Sequence, residues 1–175
     1  MKISPEIESK QSTGIVSSSH LASPRGLTAS EFEFGLIVSW NAFSRWVVRC
    51  MAAAGYRELT ITDVLLLHHI NHRARNKKLA DICFVLNYED VHVVAYALKK
   101  LVAVGLARTE KIGKEVFYSP TPAGEDAVNK YREVREQCLI ANLDVQMTQD
   151  LGETARMLRT MSGLYDQAAR AASSL

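Results

Sequence analysis

At 175 residues the chain is long enough for one domain, or one domain with an oligomerisation arm, around a sizeable core. Its 47% hydrophobic and 23% charged residues are those of an ordinary soluble globular protein, and a formal charge of +2 excludes nucleic-acid binding through bulk basicity, so any such role must rest on local clusters. Cys50, Cys83 and Cys138 are widely spaced without a CxxC pair, and no apolar run reaches the roughly 18 residues of a membrane span, so the expectation is a reduced cytoplasmic protein with no disulfide framework, metal or cofactor.

Residues 1–27 are Ser-rich, contain Pro5, Gly14, Pro24 and Gly26, and lack a sustained apolar period, which reads as a flexible tail. Over 28–56, Thr28-Ala-Ser-Glu31 has the form of a capping box. After it, Phe32, Leu36, Trp40, Phe43, Val47 and Met51 recur at helical steps, predicting a long helix that ends near Gly55. With Ile37, Val48 and Cys50 this stripe is wider than one neighbour in a small domain covers, so a partner subunit is expected against it.

Residues 60–72 predict a second helix, capped by Thr60 or Thr62, with Val64, Leu65, Leu67 and Ile70 inward. His68 and His72 share a face, but no carboxylate or cysteine nearby completes a metal shell, so they read as packed or surface histidines. Arg73, Arg75, Lys77 and Lys78 then form a basic cluster at the entry to a helix, a position suited to gripping phosphate.

Two short helical patterns over 78–105 meet at Asn87-Tyr88-Glu89 and predict a helix-turn-helix. In the first, Leu79, Ala80, Ile82, Cys83 and Leu86 recur with helical spacing. In the second, 90–104, Asp90 is a fitting N-cap and Val91, Val94, Leu98, Leu101 and Val102 share one arc. His92, Tyr96, Lys99, Lys100 and Ala103 lie opposite, and Gly105 lies just past the end with Leu106 able to fold back onto Leu101. Two β-prone runs over 106–119, joined at Lys111-Ile112-Gly113-Lys114, predict a basic hairpin.

Thr121 and Pro122 open another helix, with Val128, Tyr131, Val134, Cys138 and Leu139 as its stripe running towards Leu143. From about Asp150 a last helix presents Leu151, Ala155, Leu158, Met161, Tyr165, Ala168 and Ala172, close to a seven-residue repeat. The helices over 125–172, with the first helix, are expected to form a dimer arm using Phe32, Leu36, Leu151, Leu158, Met161 and Tyr165. All three cysteines lie on or beside apolar stripes, so packing is their expected role.

The order of elements, Leu79-Ala80 at the first motif helix, the Leu101, Gly105, Leu106 ending of the second, and Thr121-Pro-Ala-Gly124 after the hairpin together resemble the MarR (multiple antibiotic resistance regulator) family. The resemblance implies a mainly α fold with a small β-hairpin wing: a winged helix-turn-helix over 60–124 between N- and C-terminal dimerisation helices. It implies a homodimeric, cytoplasmic transcriptional regulator whose two recognition helices enter successive major grooves of a pseudo-palindromic operator on double-stranded DNA. On that basis His92, Val93, Tyr96 and Lys99 face the groove, with Lys100 at their margin and Lys111 and Lys114 on the wing. Lys77 and Lys78 are expected on phosphates, and Val93 against a thymine methyl. The resemblance also implies a pocket between the arm and the winged domain for a small aromatic or amphipathic effector, with Trp40, Phe43, Trp46 and His69 as its walls.

The chain departs from the family in having His92, Val93 and Tyr96 where Ser or Thr and then a basic residue are common, and in lacking an Asp-x-Arg-Arg wing tip. Those departures, with Glu89 and Asp90 at the start of the recognition helix, leave an alternative: a winged-helix protein-interaction module with weak or no DNA binding. No Ser-His-Asp set, Gly-rich phosphate loop or ligand cluster is present at usable spacing, so an enzyme is not expected.

Overall fold

The computed structural model describes residues 23, 26–72 and 76–175, so all of the predicted tail but residues 23, 26 and 27, and the Arg73 and Arg75 members of the basic cluster, lie outside the described residues. Helix α1 (Leu27–Ala53) starts one position ahead of the predicted capping box. Gly26 is the N-cap and offers no side chain. Thr28 is already inside the first turn, where its hydroxyl is past the capping position, so the box with Glu31 does not form. The helix ends as predicted, with Gly55 at φ +105° and the Tyr56 N–H donating to Met51 O at 3.0 Å. Its apolar stripe divides in two: Val47, Cys50 and Met51 are buried, whereas Phe34, Leu36, Ile37, Val38, Trp40 and Phe43 are exposed.

Helix α2 (Ile61–Asn71) is fixed at its start by a reciprocal box in which Thr60 Oγ1 accepts from the Asp63 N–H at 3.3 Å and Asp63 Oδ2 accepts from the Thr60 N–H at 2.8 Å. It packs against α1 and the later helices, and Val64, Leu66, Leu67 and Ile70 are fully buried. Leu66 thus takes the inward place expected of Leu65, which is half-buried. A helix apolar on nearly every side carries no clear phase in its sequence.

Lys77 and Lys78 form a two-residue strand, β1 (Lys77–Lys78), instead of an open loop. It leads into α3 (Leu79–Leu86), and α4 (Val91–Ala103) follows a turn in which Asn87 takes φ 55°, a left-handed conformation that asparagine tolerates. Asp90 caps α4 by accepting from the His92 N–H at 2.8 Å. At the other end Gly105, at φ +78°, lets the Leu106 N–H reach Leu101 O at 2.9 Å. Val94, Ala97, Leu98 and Leu101 enter the core. Val91, expected on that arc, is exposed because the first turn of α4 projects beyond the core.

Strands β2 (Ala107–Ile112) and β3 (Glu115–Pro120) form the hairpin, with only Gly113 and Lys114 in the turn and Gly113 at φ +63°. Lys111 is therefore inside β2, opposite Val116, and is not a turn residue. The sheet order is β1-β3-β2, with Lys77 opposite Tyr118 and Lys78 opposite Phe117.

Helix α5 (Pro122–Cys138) begins with Thr121 as cap: its Oγ1 accepts from the Gly124 N–H at 3.1 Å and donates to Gly105 O at 2.6 Å. A Cβ on Gly124 would lie 2.0 Å from Leu106 O, so the Thr-Pro-Ala-Gly sequence is a packing requirement that seats α5 on the end of α4. The helix stops at Cys138 and gives way to a 3-10 turn (Ile140–Asn142), short of the predicted run to Leu143. Cys50 and Cys83 are buried as expected, but Cys138 is exposed at the helix end and packs against no core. Helix α6 (Val145–Ala172) starts well before Asp150, because Asp144 caps it by accepting from the Met147 N–H at 2.7 Å; none of its residues is buried. One cluster of buried side chains joins the C-terminal part of α1 with α2, α3, α4 and α5. None of the described helices is long and apolar enough to cross a membrane.

Candidate nucleic-acid interface

Burial of Val94, Ala97, Leu98 and Leu101 turns the opposite face of α4 outward, and His92, Val93, Tyr96 and Lys99 are all exposed on it, Tyr96 by 74%. Lys99, Lys111 and Lys114 are exposed and make no ion pair among the described residues, which leaves their ammonium groups available to an external anion. Sequence reading did not single out Arg108 on β2, whose Nε donates to Ser119 Oγ at 3.1 Å.

Three other lysines assigned to DNA are committed within the fold. Lys100, expected at the margin of the reading face, is turned inward and bonds Asp63 Oδ2 at 2.6 Å and Glu58 O at 2.7 Å. The Lys77 ammonium donates to His72 O at 2.6 Å and Ile70 O at 3.4 Å, satisfying carbonyls at the end of α2, and burial pushes its pKa down. Lys78 bridges to Glu115 at 2.5 Å and lies 5.5 Å over the Phe117 ring; the bond to Glu115 holds its pKa up. The cluster read as a phosphate grip is therefore, at Lys77 and Lys78, a clasp between α2, β1 and the wing.

Between the start of α2 and α4 lies a groove of about 430 Å³ whose lining joins Thr60 and Thr62 to Val93, Tyr96 and Ala97, with the Asp63–Lys100 pair as its floor. Residues so far apart in the chain leave no joint signal in the sequence.

A second cavity, of about 400 Å³, lies where α1, α2 and α5 meet. Phe43, Val47, Leu65 and Val128 give it apolar walls, and Arg132 and Arg135 bring two guanidinium groups to it. Of the expected effector residues only Phe43 lines this cavity. Trp40 is exposed along α1, Trp46 packs on the core, and the His69 pKa is pushed down by burial first and then by the charges of Lys77 and His72. The histidine of the cavity is His68, one position earlier, and its Nε2 is buried without a hydrogen-bond partner. Its ring stands edge-on to Tyr131, centroids 4.4 Å apart, and burial first, then the Arg135 charge, lowers its pKa. Burial likewise pushes the Tyr131 hydroxyl up to about 12.

Leu36, Leu158, Met161 and Tyr165 from the expected dimer arm meet in a depression beside Asn87 and Asp166, where Tyr165 donates to Glu33 at 3.3 Å and Asn87 Nδ2 donates to Asp166 at 3.3 Å. Phe32, half-buried on α1, and Leu151, exposed on α6, lie outside it.

Residues 59–124 match the winged helix DNA-binding domain family. Among solved structures the chain is similar to a probable transcriptional regulator from Pseudomonas aeruginosa, 23% identical over 71% of this chain and 96% of that one with a TM-score of 0.54. It is also similar to AbfR of Staphylococcus epidermidis, 16% identical over 80% and 95% with a TM-score of 0.67. A third similar structure is a MarR transcriptional regulator from Methanosarcina mazei Go1, 15% identical over 77% and 99% with a TM-score of 0.60. AbfR has been solved bound to DNA in reduced and overoxidized forms. Among proteins with curated descriptions, none matches the chain by sequence.

Proposed function

We propose that this chain, whose fold is that of MarR-type winged-helix regulators, is a homodimeric transcriptional regulator that reads duplex DNA with α4 in the major groove and rests its wing on the backbone or minor groove. The observation that carries this reading is the outward face of α4, where His92, Val93, Tyr96 and Lys99 stand exposed on a helix otherwise locked in the core, beside the unpaired wing cations Lys111 and Lys114. Lys99 supplies a donor for guanine acceptors, and His92 a donor or acceptor for a base edge. Uncovered apolar side chains along α1 and α6 are what a second copy would bury, and a two-fold dimer sets half-sites about one helical turn apart.

The test is a salt titration on random duplex DNA. Affinity should fall linearly on a double-logarithmic plot, and replacing Lys111 and Lys114 by Ala should make the slope shallower by about 3 to 4, four lost phosphate contacts per dimer at about 0.9 each. If no duplex binds even at low salt, the regulator reading fails. The winged-helix interaction module would then stand in its place, a reading favoured by Phe84, 86% exposed on α3 with Val85 exposed beside it.

The cavity at His68 suits an effector with an aromatic body and a negative charge: the ring lies between Phe43 and Leu65, and the charge meets Arg132 and Arg135. Benzoate serves as the probe. Binding followed by calorimetry should weaken at least tenfold in Arg132→Ala/Arg135→Ala. Its pH dependence has a defined sign. The lowered pKa keeps His68 neutral near pH 7, an anion beside Nε2 favours the protonated ring, and binding therefore takes up a proton and tightens as pH falls from neutral into the acid range. Equal affinity in the arginine variant would remove the assignment.

A further inference from the structure

The groove between α2 and α4 has an unusual balance of groups for a surface that meets base edges. Its two charged members cancel: Asp63 and Lys100 are bonded to each other at 2.6 Å, and Asp63 Oδ2 also accepts from the Thr60 N–H. Of the two threonine hydroxyls at its edge, Thr60 Oγ1 already accepts from the Asp63 N–H. What is left open to an incoming group is mainly carbon, from Val93, Tyr96 and Ala97, together with the His92 ring and the Thr62 hydroxyl. A polar base edge placed there would lose its water and find little to bond, which is costly, whereas a methyl group gains by leaving water. His92, one turn before Tyr96, is the polar reading group among the lining residues, and Lys99 is exposed outside them. The groove is continuous with the reading face of α4, so what reaches it is a base presented in the major groove, where the one apolar group shown by normal base pairs is the thymine 5-methyl.

We propose that this groove receives the 5-methyl group of one thymine in each half-site, with Val93, Tyr96 and Ala97 as the specificity-determining residues. The inference rests on the DNA-reading function proposed above and adds which base, and which atom of it, the helix selects. Val93, Tyr96 and Ala97 line the groove along α4. Thymine is preferred over cytosine at that position through carbon contact, without a hydrogen bond to distinguish them.

The experiment removes the methyl and nothing else. Fragments enriched by the full-length protein from a random duplex pool give the operator, and each thymidine in turn is replaced by deoxyuridine, which keeps every hydrogen-bonding group. One position per half-site should show a loss of about fourfold, the effect of one buried methyl, and about fifteenfold when both half-sites are changed. Val93→Ala, on an exposed helix position that tolerates alanine, should weaken binding to the thymidine operator and bind the thymidine and deoxyuridine operators equally. If an operator is enriched but every deoxyuridine substitution is neutral, or Val93→Ala retains the full deoxyuridine penalty, the methyl assignment is overturned while DNA reading stands. If no fragment is enriched and no duplex binds at low salt, the assignment falls together with the reading it rests on.

Discussion

Replacing Asp63 with alanine is expected to lower the unfolding free energy by about 3 kcal/mol, the lower part of the range for breaking a buried ion pair, because the Lys100 side chain is still 28% exposed. Asp63 is 2% exposed, and its carboxylate carries three duties. It pairs with Lys100 at 2.6 Å, closes the capping box with the Thr60 N–H at 2.8 Å, and through both bonds ties the start of α2 to the recognition helix. The alanine variant leaves the Thr60 N–H without its partner and Lys100 with only Glu58 O to receive its charge. A second substitution, Lys100→Met, should then recover part of the loss, because it removes the uncompensated ammonium and keeps the aliphatic stem. Urea denaturation at one fixed protein concentration measures both. An Asp63→Ala variant within about 0.5 kcal/mol of the parent protein would show that the pair does not brace the helix.

The same pair shows where the sequence stops being legible. Caps and turns could be read locally because each leaves its chemistry at fixed offsets: Asp90 before α4, Thr121 before α5, Gly105 after α4, and Gly113 in the wing. Asp63 and Lys100 are 37 positions apart and carry no such mark, so Lys100 reads from its helical phase as a surface cation although its ammonium is committed inward. Lys77 and Lys78 misled for a related reason. Sequence counts their charge but not the acceptors, and these come from the end of α2 and from β3. Strand β1 is two residues long, too short to establish an alternation. In α2, apolar on several sides, the choice between His68 and His69 depended on a phase that only packing against α1 and α5 sets, and packing gives the cavity to His68. Thr121-Pro-Ala-Gly124 was legible as a pattern before its cause was visible, and the cause is the close approach of Gly124 to Leu106 O.

Leu36→Glu combined with Leu158→Glu is expected to convert the protein to a monomer and to weaken operator binding by a hundredfold or more. Both side chains border the depression shared by α1 and α6, and Ile37, Trp40, Leu151 and Leu164 are further apolar side chains on the two helices that no described residue covers. Two carboxylates there would have to lose water without a partner on forming a two-fold interface, and symmetry doubles each of them. DNA affinity should fall far more than one subunit's contacts explain, because a dimer holds its second recognition helix at high effective concentration over the second half-site. Sedimentation gives the mass, and fluorescence anisotropy on a labelled operator gives the affinity. Both substituted residues lie outside the buried cluster that holds α2 to α5 together, so the winged domain should keep its helical circular dichroism. A variant that stays dimeric would show that the apolar faces of α1 and α6 serve some other contact. One that becomes monomeric yet binds the operator undiminished would show that each winged domain reads DNA alone.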